Sequence, residues 1–173
     1  MLPRLEEHFT VVAVARRGRG ETDATEGHTL DEEAADVVSI IEALGEPVFL
    51  LGHSYGGHVA LRATASVADR VRKLVLYEAP WPTALGKELA DELERLGEAG
   101  RWDEFSWTFF HRGLCVPAEE LERLRAEGLW EPIVGDAKAS LGDLRALAGY
   151  RFEAEQYRGL QVSTLLQTGS ESP

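Results

Sequence analysis

The sequence has one cysteine, Cys115, in 173 residues, so an internal disulfide cannot form. With five histidines and that single thiol, no Cys/His spacing of the kind that holds zinc occurs. No stretch approaches the roughly 18 apolar residues that a membrane-crossing helix needs. The first residues, Met1-Leu2-Pro3-Arg4-Leu5-Glu6-Glu7, lack the apolar run of a secretory leader. Cationic residues are scarce as well: 18 Lys and Arg stand against 30 Asp and Glu, a formal net charge of −12. Nucleic acids and anionic membranes both require a clustered basic face, so neither is expected as a partner. A cytoplasmic location is expected by default. Internal repeats and low-complexity tracts are absent too.

What is present suffices for one domain with a sizeable core. The apolar fraction, 44%, is ordinary for a globular protein. Phe9 to Ala15 is short, apolar and β-branched, and Gly18 and Gly20 follow it, which predicts a buried strand. Thr29 and Glu32 have the spacing of a capping box. Ala34, Val37, Val38, Ile41 and Leu44 then recur at helical spacing, and Gly45 closes the helix. Val48-Phe49-Leu50-Leu51 reads as a second strand, Tyr55 to Ala68 as a helix, and Val71 to Tyr77 as a third strand.

This alternation implies an α/β fold built on a parallel sheet with right-handed crossovers. Sites in such sheets lie at the carboxyl ends of the strands, where Ser54 and Glu78 both fall. Residues 83–157 show helical patterns only, including the stripe Leu85, Leu89, Leu93 and Leu96. Further helices are expected at 117–127, with Leu121 and Leu124 inward, and at 136–150. An aromatic cluster, Trp102, Phe105, Trp107, Phe109 and Phe110, either lines the underside of this helical segment or packs within it. A fourth strand is expected at Gln161 to Leu166.

The sharpest motif is Gly52-His53-Ser54-Tyr55-Gly56-Gly57, placed between a strand and a helix. A serine hydroxyl is a weak nucleophile, and a tight strand-to-helix turn lifts it clear of the sheet. Close backbone approach in such a turn calls for small residues, here Gly52 and Gly56. The backbone N–H of Tyr55, opening the next helix, faces the place where an oxyanion would form. His53 is expected to point away from the hydroxyl. His8, His28, His58 and His111 all read as structural.

On these residues the chain resembles the α/β-hydrolase superfamily, nearly end to end. Ala15-Arg16-Arg17-Gly18-Arg19-Gly20 is similar to the family's D-x-R-G-x-G, with Ala15 where Asp is frequent. Gly52 to Gly57 is similar to its G-H-S-x-G-G elbow, Leu74 to Pro80 to its next strand, and 83–157 to its helical cap. The resemblance implies a partial α/β-hydrolase fold: core with elbow over 1–82, cap over 83–157 and a returning strand over 158–173.

It also implies that pieces are missing. The family's His-Gly oxyanion loop has no counterpart before Phe9, and its catalytic histidine would lie beyond Pro173. The strand that the family places between those matching Phe9–Ala15 and Val48–Leu51 is absent, so the sheet there is expected to show a gap or a new pairing. The usual position of the acid is Ser172. Some family members carry the acid at the end of the strand after the elbow, which makes Glu78 the better candidate and Glu171 a third choice. The implied activity is hydrolysis of a small ester- or amide-type acyl substrate through Ser54, without metal or cofactor, in a fragment of little or no activity. The alternative is a non-catalytic binding protein of the same fold. Haloalkane dehalogenation is disfavoured, because the family uses an aspartate nucleophile for it.

Overall fold

The computed structural model describes residues 2–22, 27–80 and 85–170. Pro82 and Thr83 at the expected cap boundary, and Glu171 and Ser172, lie outside the described residues. A short helix α1, Leu2–Glu6, leads in, followed by α2, Leu30–Leu44. The start of α2 is fixed as its sequence predicts. Thr29 Oγ1 accepts the Glu32 N–H at 3.2 Å, and the Glu32 carboxylate accepts the Thr29 N–H at 2.7 Å. Gly45 ends the helix at φ 75°, where a side chain would be strained.

Among the described residues three strands form one parallel sheet in the order β1, β2, β3: β1 is Val48–His53, β2 Val71–Tyr77 and β3 Ser163–Gln167. Leu51 pairs with Val75, and Val75 with Leu165. Helix α3, Tyr55–Ser66, covers one face, with Ala60 packed on Leu74, Leu76 and Leu50. Its other side meets α2, and Leu30, Ala34, Tyr55, Val59 and Ala63 form a second buried cluster. On the opposite face of the sheet Phe49 is 53% and Leu51 45% exposed.

The strand expected at Phe9 to Ala15 does not form. The segment belongs to no ladder, and Phe9, Val12 and Val14 are exposed. The ring of Phe9 meets Phe49 of β1 edge-on at 5.5 Å. The physical reason is the lack of a partner. A strand exists through its ladder bonds, and the outer edge of β1 has no strand beside it among the described residues. Of the two outcomes expected for this region, the gap is found.

The helical segment comprises α4 (Lys87–Glu98), α5 (Trp102–Thr108), a single π turn (Phe109–Gly113), α6 (Ala118–Ala126), α7 (Trp130–Gly135) and α8 (Ala137–Gly149). Leu89, Leu93 and Leu96 of α4 bury against Phe105 of α5 and Leu141 of α8. The aromatics pack within this segment. Trp107 and Phe110 both meet Trp130, and the Arg125 guanidinium lies over the Trp107 and Trp130 rings at 4.7 and 4.9 Å. Leu147 of α8 enters the cluster between α2 and α3, tying the segment to the sheet layer.

Candidate active site

Ser54 stands between β1 and α3 with φ 53° and ψ −129°, a backbone state that costs a non-glycine residue of order 1–3 kcal/mol. Two bonds hold it there: its N–H donates to Tyr77 O at 2.9 Å, and its carbonyl accepts from Gly57 N–H at 2.8 Å. The first bond joins the turn to the end of β2, so Ser54 and Glu78 lie one residue apart across it. Glu78 has φ 50°. Two of the three described non-glycine residues with positive φ therefore sit side by side at the carboxyl ends of adjacent strands.

The glycines of the turn divide their work differently from what the motif predicts. A Cβ on Gly52 would lie 2.7 Å from Gly57 Cα and 2.8 Å from Ala60 Cβ, and would also strike the Gly56 carbonyl oxygen. A Cβ on Gly57 would lie 2.7 Å from Ala79 Cβ, whereas one on Gly56 would meet nothing within 4 Å. Close approach thus requires Gly52 and Gly57. The expectation for Gly56 is corrected: as the second residue of α3 it faces outward.

Tyr55 is the first residue of α3, so its N–H has no carbonyl four residues back within the helix. Its side chain is buried, and the hydroxyl has no partner among the described residues. Burial raises the phenol pKa above its ordinary value, and the charges of Glu33 and Asp143 add to this. Glu78 N–H donates to Gln167 O at 2.9 Å, and the Glu78 carboxylate accepts the Gly169 N–H. Glu78 thereby links the end of β2 to the chain leaving β3.

Ser54 Oγ makes no hydrogen bond among the described residues. His53 stacks on Tyr77 at 5.0 Å, while His58 is buried and its Nε2–H donates to Pro80 O at 2.5 Å. His111 Nδ1–H donates to Val116 O at 2.9 Å in the helical segment, and His8 is exposed beyond α1.

His28 lies in an ionic cluster that spacing alone did not reveal. Arg16 Nη1 donates to Glu33 Oε2 at 2.9 Å and to Asp143 Oδ1 at 2.8 Å, and Arg16 Nη2 donates to Asp143 Oδ2 at 2.7 Å. Arg19 Nη2 also reaches Asp143 Oδ2, at 2.9 Å, and His28 Nε2 lies 2.9 Å from Glu33 Oε1. Burial opposes the charge on Arg16, but the bonds and charges of Asp143 and Glu33 outweigh it and raise its pKa. His28, Glu33 and Asp143 offer ligand atoms within 4.8 Å of one another. A cation there would have to displace a guanidinium held by three hydrogen bonds. In the sequence Arg16 and Arg19 fall at the two variable positions of the motif over residues 15–20, and Asp143 lies 127 residues from Arg16.

Comparison with known proteins agrees with this architecture. A family model described as "Alpha/beta hydrolase family" matches residues 1–171. The bifunctional esterase/perhydrolase of Acinetobacter calcoaceticus is 39% identical over 99% of this chain and 67% of its own length. The 2-(acetamidomethylene)succinate hydrolase of Mesorhizobium japonicum is 30% identical over 93% of this chain, which spans 57% of that relative. The crystal structure of an alpha/beta hydrolase from Sphaerobacter thermophilus superposes with a TM-score of 0.75 at 25% identity, covering 91% of this chain and 63% of that one.

Proposed function

The chain belongs to the α/β-hydrolase family, and from that premise we propose that Ser54 is the nucleophile for hydrolysis of an ester- or amide-type acyl substrate. The observation that carries this reading is the backbone of Ser54. A strained φ of 53° at a serine, pinned to β2 from one side and to α3 from the other, supports the reading of a strand-to-helix turn of the kind that lifts a nucleophile clear of its sheet. Ser54 Oγ attacks the acyl carbon, and the Tyr55 N–H receives the developing oxyanion. A histidine takes the serine proton and returns it to the leaving group, after which water releases the acyl group. Glu78, at the end of the adjacent strand, orients that histidine. The helices α4–α8 act as a cap, and the partner is a small-molecule substrate.

The substrate class is supported by the names of the relatives, one an esterase/perhydrolase and one a hydrolase of an acetamido compound. No described histidine bonds Ser54, and the relatives are longer than this chain. The base, in this reading, comes from polypeptide outside the 173 residues, and the isolated chain is a fragment with little or no turnover. Incubation of the isolated chain with p-nitrophenyl acetate tests this. The expected result is release of nitrophenol no faster than with the Ser54→Ala variant. Catalytic turnover by the isolated chain that Ser54→Ala abolishes would overturn the fragment reading.

A further inference from the structure

Arg16 makes two kinds of contact at once. Its guanidinium carbon lies over the Tyr55 ring, 4.8 Å from the centroid, and its nitrogens hold Glu33 of α2 and Asp143 of α8. The carboxylates are almost fully withdrawn from water, Glu33 at 2% and Asp143 at 7% exposure. A guanidinium fixed in a plane by two carboxylates is a rigid plate, and the Tyr55 ring packs against it. The Tyr55 hydroxyl has no partner among the described residues, so the ring contact and the apolar cluster of α2 and α3 are what fix the side chain. Tyr55 immediately follows Ser54 and opens α3. A ring held in place fixes the Tyr55 Cα, and with it the direction of the N–H at the helix start.

We propose that Arg16 is a positioning residue for the nucleophile elbow, and that Asp143 completes it, so that docking of the helical segment and orientation of the Tyr55 N–H are one mechanical unit. The inference rests on the reading of Tyr55 N–H as oxyanion donor. The coupling itself does not depend on turnover. Asp143 is the carboxylate of α8 in this cluster, and it receives both Arg16 nitrogens and Arg19 as well. When α8 leaves, Arg16 loses two of its three side-chain hydrogen bonds and the plate over Tyr55 is released. A purely structural ion cluster would stabilise the fold as a whole. A positioning device loosens the elbow selectively.

Amide hydrogen exchange of the 173-residue chain separates the two. Asp143→Asn, Arg16→Lys and Arg16→Met are compared with the wild type in peptides covering 53–58, 71–77, 87–98 and 137–149. Asp143→Asn and Arg16→Met are expected to raise exchange at 53–58 and 137–149 by about tenfold, the scale of losing a buried cation–π contact with its ion pair. Exchange at 71–77 and 87–98 should stay unchanged. Arg16→Lys keeps the charge but not the flat face, and should loosen 53–58 more than 137–149. Unchanged exchange at 53–58 in Asp143→Asn and Arg16→Lys, or an equal rise in all four peptides, would overturn the proposal. Should Arg16→Met not fold, those two variants decide the matter. Failure of the Ser54 assignment would appear as activity independent of Ser54, a result this measurement does not touch.

Discussion

The Glu78 carboxylate accepts a hydrogen bond from the backbone N–H of Gly169, joining the end of β2 to the segment that leaves β3. The bond uses one of the two carboxylate oxygens, Oε1. Glu78→Ala removes the bond and is expected to lower stability by about 0.5–1.5 kcal/mol, read from urea denaturation. Glu78→Gln keeps an acceptor oxygen and should cost less. If Glu78 orients the histidine, a relative carrying the acid at this position should lose orders of magnitude in turnover on Glu to Gln, with KM little changed. Unchanged turnover there would leave Glu78 only its structural bond.

The elbow glycines give a second test. A Cβ at Gly52 meets backbone at Gly57 and Gly56, which cannot move away cheaply. Gly52→Ala should therefore destabilise by about 1–3 kcal/mol, the usual cost of overpacking. Gly57→Ala, against Ala79, should fall in the same range, while Gly56→Ala should be neutral or slightly stabilising. Thermal melts of the three variants check this order. A Gly56→Ala variant as damaged as Gly52→Ala would contradict the geometry.

Much of this was legible beforehand, and the elements that were legible share a cause. Thr29, Glu32 and Gly45 bound α2 through bonds among near neighbours, so their spacing suffices. The strand, elbow and helix around Ser54 were likewise readable from local pattern. Phe9 to Ala15 failed because its apolar run reports burial potential, while a strand also needs a partner edge. The motif does not say which glycine faces the backbone, so it cannot tell Gly56 from Gly57. Two features carried no readable signal. The clustering of Arg16, Glu33, His28 and Asp143 depends on tertiary approach over more than a hundred residues. The positive φ of Glu78, 50°, is a backbone state that its residue type does not signal.

His58 predicts a pH dependence. Burial lowers its pKa below the ordinary value, and the hydrogen bond to Pro80 O offsets this only in part. The unfolded chain takes up the proton near pH ~6.5, whereas the folded chain resists it. Stability from His58 is thus fully present above about pH 6.5 and is lost as pH falls through the folded pKa. The stability difference between wild type and His58→Gln should shift in favour of the variant between about pH 8 and pH 5. A difference that does not vary with pH would contradict the assignment.

The outer edge of β3 predicts self-association. Leu160 to Thr168 contains no charged residue, no proline and no glycine, and Leu165 and Leu166 are 57% and 65% exposed. Such an edge lacks the features by which strands avoid pairing with other chains. Leu165→Lys should lower the mean mass seen by light scattering as concentration rises. Identical scattering from the two proteins would argue against pairing at this edge.

The nucleophile is tested most directly by grafting. The chain replaces the matching segment, 67% of the whole, of the 39% identical esterase/perhydrolase of Acinetobacter calcoaceticus. Nitrophenol release from p-nitrophenyl acetate is then measured with and without Ser54→Ala, after both proteins are shown to melt cooperatively. The expected result is turnover in the graft and a fall of at least about 10³-fold in Ser54→Ala. Turnover that survives Ser54→Ala would contradict Ser54 as the nucleophile.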